Sequence, residues 1–211
     1  INTLLIGEYK KVLTGERLES AYAYQWCFAA IQRQYEKELI PLYEEFKHTY
    51  PNSPYLAAMQ GYYEEICAFH APKNLSDDIQ FMTDTEDIST MEALLSRFAG
   101  KKVYIDVWAT WCGPCKDEFA HEGVLHGLLE DKGYEMLYLS IDKDRDDSQW
   151  REMVAYYKLR GYHARAGKSL ISDLQRLFDA DGAMSIPWNM IVDTQGHIVQ
   201  LHAPRPSDTE A

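Results

Sequence analysis

Two cysteines with two residues between them, Cys112 and Cys115, give the strongest chemical signal in the sequence. They lie in the run Trp111-Cys112-Gly113-Pro114-Cys115, between an apolar segment and a segment with helical spacing. The N-terminus of a helix lowers the pKa of a cysteine there, because its partial positive charge and free N–H groups favour the thiolate. The spacing therefore predicts a dithiol in which Cys112 attacks a substrate disulfide and Cys115 resolves the mixed disulfide.

A carboxyl group inside an apolar run is the second feature. Asp106 is the one acid in the segment Val103–Trp108, and this continuous apolar run predicts a strand that is buried on both faces. Desolvation raises the pKa of a buried carboxyl, so we expect Asp106 to exchange a proton with Cys115 as the mixed disulfide resolves. The alternative is an acid at a strand edge in water.

The other polar clusters do not indicate a metal site. A structural zinc ion needs four ligands, and the single CxxC is followed neither by a second CxxC nor by an HxxxH pair. His121 and His126 are too far apart to share one helix face. The acidic segment from Asp142 to Asp147 lacks the glycine and final glutamate of an EF-hand loop. We therefore expect no metal, and no cofactor besides a redox-active Cys112–Cys115 disulfide.

Strand and helix patterns alternate around the dithiol from residue 75 onward. Apolar runs predict strands at 79–83, 103–108, 136–141, 190–192 and 198–201, and helical spacing predicts helices at 90–98, 112–130, 147–159 and 170–178. A turn at Asp193–Gly196 makes the last two strands an antiparallel pair. The pattern predicts an α/β domain over 75–211.

Residues 1–74 have a different character, since they are rich in Tyr, Glu, Lys and Ala. Apolar residues recur at helical spacing from 17 to 50, and Pro41 should kink or split this helix. A turn near Asn52 precedes a second helix that should end near Phe69. We predict an α-helical hairpin region whose aromatic residues form its own core.

The remaining cysteines, Cys27 and Cys67, both fall in this hairpin. In a straight hairpin that turns near Asn52 they would be offset by about ten residues, or about 15 Å along the axis. A disulfide requires Cα atoms within about 7 Å. We therefore predict two separate thiols, although an oxidising compartment would favour their pairing.

Charge and hydropathy exclude several classes of partner. The formal net charge of −12 argues against nucleic acid and against electrostatic binding to anionic lipid. No run of about 20 apolar residues predicts a membrane span. The first residue is Ile1 rather than a methionine, so the lack of a leader is no guide to the compartment.

The segment Val107–Cys115 resembles the active-site segment of the thioredoxin superfamily. Asp106 matches the buried acid of the family's preceding strand, and Ile186-Pro187 resembles its cis-proline. The lead-in through 79–101 is similar to TlpA/ResA-like extracytoplasmic reductases, and the whole resemblance covers roughly 75–206. It implies a thioredoxin-like mixed sheet flanked by helices, preceded by the helical hairpin.

The resemblance also implies an activity and a set of site residues. The activity is reduction of protein disulfides by thiol–disulfide exchange. The catalytic candidates are Cys112, Cys115, Asp106 and Pro187, and the substrate-groove candidates are Trp111, Gly113, Pro114, Ile186 and Trp188. The implied partners are a protein disulfide substrate and an upstream thiol reductant.

A periplasmic or otherwise extracytoplasmic location follows from the resemblance alone, and a cytoplasmic one stays open. Membrane anchoring by a segment outside this sequence is compatible with the resemblance. Helical N-terminal extensions occur in such proteins, and we expect residues 1–74 to dock a partner or a substrate.

Four positions depart from the family pattern. Tyr138 stands where thioredoxins place a lysine near the buried acid, and Trp188 stands where threonine is frequent after the cis-proline. Ala120 replaces a common proline, so we expect a straighter helix after the CxxC. The family's closing helix would begin near Ser207, so we expect it to be cut short here.

Two other functions fit parts of the sequence. A thiol peroxidase of the peroxiredoxin type needs a proline and a threonine upstream of its reactive cysteine, and only Thr110 is present. In a partner-binding module, the helical region of residues 1–74 would dominate and the redox site would serve the captured partner.

Overall fold

The chain divides into two compact units in a computed structural model, one up to Pro72 and one from Lys73 onward. The structure describes residues 2–178 and 184–210. Residues 1, 179–183 and 211, and with them the outer ends of the two predicted domains, lie outside the described residues. The functional roles assigned to the two regions stay predictions.

The first unit is α-helical, as predicted, but it holds four helices rather than a two-helix hairpin. They are α1 (Asn2–Val12), α2 (Gly15–Ile31), α3 (Leu39–Thr49) and α4 (Leu56–His70). The prediction that Pro41 splits the first helix is wrong, because the break precedes it. Arg33 and Tyr35 take left-handed backbone conformations between α2 and α3, whereas Pro41 lies in the first turn of α3, where proline is tolerated.

Aromatic side chains form the core of this unit, as expected. Trp26 and Phe46 are fully buried, and the Trp26 indole Nε1 donates a hydrogen bond of 2.8 Å to the Leu39 carbonyl. Cys27 and Cys67 are half-buried free thiols, which confirms that they do not pair with each other.

The second unit contains a mixed six-stranded sheet, as the resemblance implied. Its strands are β1 (Ile79–Phe81), β2 (Lys102–Trp108), β3 (Tyr134–Ser140), β4 (Gly161–Arg165), β5 (Trp188–Val192) and β6 (Ile198–Gln200), in the order β1-β4-β3-β2-β5-β6. The first four are parallel to one another, and β5 runs antiparallel to both β2 and β6. The sequence patterns did not predict β4.

The helices of this unit are α5 (Met91–Leu95), α6 (Gly113–Glu118), α7 (Glu122–Lys132), α8 (Asp147–Tyr157) and α9 (Lys168–Phe178). The prediction of one straight helix after the CxxC is wrong, because a 3₁₀ turn at Phe119–His121 separates α6 from α7. The centroid of the Phe119 ring lies 5.2 Å from that of Trp108 and 5.1 Å from that of Tyr157. Aromatic packing rather than a proline therefore accompanies the break between α6 and α7. Gly133 ends α7 with φ 69°, as predicted.

Strand β2 lies at the centre of the sheet and carries the site residues. Val103, Ile105 and Val107 are fully buried on one face, and Asp106 points to the other. The predicted strand buried on both faces is therefore confirmed. A short 3₁₀ helix, Pro206–Glu210, follows β6 at the position where the resemblance implied the start of a closing helix. Among the described residues, no helix is long and apolar enough to cross a membrane.

Candidate active site

The two CxxC cysteines lie at the junction of β2 and α6. Cys112 is the N-cap residue of α6, and a disulfide joins it to Cys115 with a Cα–Cα distance of 5.3 Å. The backbone N–H of Cys115 donates to Cys112 Sγ at 3.1 Å. In the reduced protein this N–H would stabilise a thiolate on Cys112, because a hydrogen bond to the charged form of a group favours that form. Pro114 occupies the first helical turn, where its missing N–H breaks no bond.

The cysteines and their neighbours differ in exposure. Cys115 is fully buried and Cys112 retains 4% exposure, the order expected for a resolving and an attacking thiol. Trp111 is 56% exposed, and Pro114 is exposed beside it. An incoming disulfide therefore meets Trp111 and Pro114 before it reaches Cys112, which supports their place in a substrate groove.

Asp106 is buried in the central strand, so the alternative of an edge position in water is wrong. It is 1% exposed, with Tyr138 of β3 and Asn189 of β5 as its partners in register. Burial, followed by the charge of Glu118, raises the pKa of Asp106 to about 7. A carboxyl with this pKa can take up and release a proton near neutral pH.

Two further buried carboxyl groups interact electrostatically with Asp106, and the sequence analysis missed both. Glu118 and Glu122 are 8% and 7% exposed. The Glu118 carboxylate accepts hydrogen bonds from Ser207, at 2.9 Å from its backbone N and 3.2 Å from its hydroxyl. The spacing of Glu118 and Glu122 from each other and from Cys115 places both carboxyl groups on one face of a helix after the CxxC. This spacing was the signal in the sequence that could have identified them.

The loop between β2 and Cys112 is held by a buried aspartate. Asp142 is 2% exposed, and it accepts hydrogen bonds from the Thr110 backbone N at 2.9 Å and the Thr110 hydroxyl at 2.7 Å. Ser140 donates to the same carboxylate at 2.8 Å. Lys116, also buried, donates from Nζ to the Thr110 carbonyl at 2.7 Å. Asp142 thus positions the cysteine loop. Across the described ranges, no group of three or more His, Cys, Asp or Glu residues is arranged to hold a metal.

The proline region lies beside the central strand. The Ile186–Pro187 peptide bond is cis, as the resemblance implied, and β5 follows it directly. Trp188 is 3% exposed, and its indole Nε1 donates to the Leu201 carbonyl at 2.6 Å. Trp188 therefore packs as a core residue, unlike the exposed Trp111. Pro187 and Trp188 also line a cavity of about 170 Å³ with His202 and Arg205. Their contribution to a substrate groove stays a prediction.

Comparison with protein families matches residues 82–211 to the family described as Redoxin. The chain belongs to the Redoxin family. The Redoxin match includes every strand except β1, and together with the ResA relatives described next it confirms the predicted TlpA/ResA-like member of the thioredoxin superfamily.

Curated relatives of this Redoxin chain carry the name thiol-disulfide oxidoreductase ResA. The chain is 26% identical over 114 residues to the protein of Bacillus thuringiensis, in a match covering 54% of this chain and 61% of the relative. It is 24% identical over 116 residues to the protein of Bacillus subtilis, covering 55% and 60% respectively. The chain thus spans about three fifths of these relatives.

Among solved structures, one similar chain is the thioredoxin domain of a thiol-disulfide oxidoreductase from Bacteroides vulgatus. It has 23% sequence identity and a TM-score of 0.44, and the match covers 55% of this chain and 78% of that one.

Proposed function

We propose that this protein is a thiol–disulfide oxidoreductase that reduces protein disulfides through the Cys112–Cys115 dithiol. The observation that carries the proposal is the disulfide at the start of α6, in which Cys112 retains 4% exposure next to the exposed Trp111 and Cys115 is fully buried. The names of the curated relatives and membership of the Redoxin family support the same activity.

The proposed reaction has two exchange steps. The Cys112 thiolate attacks one sulfur of the substrate disulfide, and the other substrate sulfur leaves as a thiolate that takes a proton from water. Cys115 then gives its proton to the Asp106 carboxylate and attacks Cys112 Sγ. The bond between Cys112 and the substrate breaks, and the second substrate sulfur leaves as a thiolate. Two electrons have passed from the dithiol to the substrate, and an upstream thiol reductant must restore them.

Substrate docking is proposed on the exposed side of the dithiol. Trp111 supplies a broad apolar surface next to Cys112, and Gly113 and Pro114 follow it at the rim. Ile186 is half-buried before the cis bond to Pro187, whose flanking backbone would pair with an extended substrate chain. A protein with a disulfide in an extended segment fits this arrangement.

The N-terminal helical unit is proposed to dock a partner or the substrate protein. Tyr24, Phe28 and Ile31 are exposed at helical spacing on α2, so this unit presents apolar side chains to solvent. The resemblance to extracytoplasmic reductases supports a location outside the cytoplasm. Residues 73–211 assayed alone should reduce insulin as fast as the whole chain if the helical unit serves only partner docking.

Insulin reduction with dithiothreitol as the reductant tests the proposal. We expect the wild-type chain to accelerate insulin precipitation, and Cys112→Ser and Cys115→Ala to lose this catalysis. Cys27→Ser is the matched control, since it removes a half-buried free thiol from the other unit. Wild-type activity in Cys112→Ser would contradict the proposed nucleophile.

The peroxidase alternative receives no support from Thr110. Its hydroxyl and its backbone N–H both donate to Asp142. Peroxide consumption by Cys115→Ala, measured with a thiol reductant, separates the two activities. We expect no consumption above that of Cys112→Ser.

A further inference from the structure

A row of polar and aromatic side chains crosses one face of the sheet, over strands β2, β3 and β4. Asp106 of β2, Tyr138 of β3 and His163 of β4 are partners in register, so their side chains lie side by side. The His163 ring stacks on Tyr138 with a centroid distance of 4.9 Å and an interplanar angle of 3°. All three are nearly excluded from water. Any charge that forms in this row is therefore poorly solvated.

Helix α7 covers this row with Glu122 and His126, which are one helical turn apart. The Tyr138 hydroxyl donates a hydrogen bond of 2.5 Å to Glu122 Oε2. His126 Nε2 lies 3.3 Å from the Tyr138 hydroxyl and 3.5 Å from the same Glu122 oxygen. The other carboxyl oxygen of Glu122 is buried, with no hydrogen-bond partner in the described part of the chain, and Asn189 of β5 is the polar neighbour that favours the charged form of Asp106. Tyr138 joins the two, as the register partner of Asp106 and the hydrogen-bond donor to Glu122, and the charge of Asp106 acts on Glu122.

The groups facing Glu122 do not neutralise it. Asp106 and Tyr104 come from β2, Tyr138 from β3 and Glu118 from α6, and each is neutral or negative. Burial lowers the pKa of His126 and of His163 to about 4, so both rings are neutral at pH 7. Arg160 acts on Glu122 only at a distance, and within the described ranges no lysine or arginine forms an ion pair with Asp106 or Glu122.

We propose that Glu122 is a positioning residue of the active site, which forms with Asp106 a buried carboxyl pair that loses its two protons in separate steps. Tyr138, which stands where thioredoxins place a lysine, holds the second carboxyl in place. When Glu122 is charged, its repulsion makes Asp106 a stronger base towards Cys115. The role rests on the function proposed above, because it acts on the resolving step.

Burial and the charge of Asp106 raise the pKa of Glu122 to about 8, above that of Asp106. The first proton therefore leaves mainly from Asp106, and the second leaves the pair as a whole at higher pH. His126 also lines an open cleft of about 220 Å³ with Glu130 and Arg160. The second proton thus has a short route to solvent past His126.

Stopped-flow reaction of the reduced protein with Ellman's reagent tests the proposal, in a background where Cys27 and Cys67 are serine. The first coloured thiolate reports attack by Cys112, and the second reports resolution by Cys115. We expect the wild-type resolution rate to rise through two inflections, near pH 7 and pH 8. Glu122→Gln should keep the lower inflection and lose the upper one. Above pH 8 the resolution rate of Glu122→Gln should be about threefold lower than that of the wild type. This factor corresponds to an Asp106 base weaker by about one pKa unit and a Brønsted coefficient of about 0.5.

Tyr138→Phe is the second variant, because it removes the donor to Glu122 with little change of shape. It should move the upper inflection to higher pH, since the lost hydrogen bond favoured the charged carboxylate. Glu92→Gln, an exposed glutamate on α5, is the matched control and should keep both inflections. Two unchanged inflections in Glu122→Gln would overturn the proposal, as would an unmoved upper inflection in Tyr138→Phe.

Infrared titration of the carboxyl groups in the oxidised protein supplies a readout without turnover. Apart from the buried carboxyl of Asp142, the wild-type protein should show two buried protonated carboxyls that ionise in separate steps, and Glu122→Gln should lose one of these two signals. A Glu122→Gln protein that keeps every carboxyl signal of the wild type would refute the pair even if the enzyme were fully active. If the wild type releases no second thiolate at any pH, the proposed function fails, and the infrared result still decides whether the pair exists.

Discussion

Replacing Asp106 by asparagine should make the protein more stable at pH 8 and flatten the pH dependence of its stability. Burial raises the pKa of Asp106 from its ordinary value of 3.8 to about 7. Between these values the folded protein keeps a proton that the unfolded chain has lost. Stability therefore falls as pH rises through this window, and the loss from Asp106 levels off above about pH 7.

The magnitude follows from the difference between the two pKa values. At about 1.36 kcal/mol per pKa unit, the ionised Asp106 costs the folded state about 4 kcal/mol at pH 8. Asparagine cannot ionise, so the variant avoids this cost. Between pH 5 and 6, the fall in unfolding free energy should become shallower by about 1.4 kcal/mol per pH unit, which corresponds to one proton.

Urea unfolding of the oxidised protein at several pH values measures this change. Tryptophan fluorescence suits the assay, because Trp108, Trp150 and Trp188 are buried in the unit that contains Asp106. Asp87→Asn, which replaces an exposed aspartate of the same unit, is the control and should follow the wild type. Equal slopes for Asp106→Asn and wild type, or a less stable variant at pH 8, would refute the argument.

Three further outcomes are expected. After reduction, Cys112 should alkylate faster than Cys115 near neutral pH, because the N–H of Cys115 stabilises the Cys112 thiolate. Peptide mass mapping after timed alkylation measures the two rates, and equal rates would count against this prediction. The Gly-Pro dipeptide between the cysteines is that of reducing thioredoxins, so a glutathione titration should place the potential towards the reducing end of the range from about −270 to −120 mV, and a value near the oxidising end would overturn the reductase direction. Thiol counting on the denatured, oxidised protein should find two free thiols, from Cys27 and Cys67, whereas none would mean that they are bonded.

Local pattern was enough to predict the parts of the fold that depend on neighbouring residues. The apolar run around Asp106 gave a buried central strand, and the CxxC gave the start of α6. The glycine after α7 and the turn before β6 were also read correctly, since each needs a particular backbone conformation. In these places sequence and tertiary structure favour the same element.

The errors arise where distant contacts decide the structure. Strand β4 has no apolar run, because His163 and Arg165 are polar residues that tertiary contacts bury: the His163 ring stacks on Tyr138, and Arg165 forms ion pairs with Glu86 and Asp144. The break after α6 depends on the packing of Phe119, which a helical pattern does not reveal. The helical pattern did not single out Glu122, which the structure places against Tyr138 of a distant strand.

Exchange at Cys112 is the central claim, and trapping the intermediate tests it most directly. Reduced Cys115→Ala protein, incubated with a peptide that contains one disulfide, should form a stable adduct whose intact mass increases by one half of that peptide. Peptide mapping should place the adduct on Cys112. The wild type should release the reduced peptide and end as the Cys112–Cys115 disulfide. An adduct on another cysteine, or none on Cys112, would contradict the account.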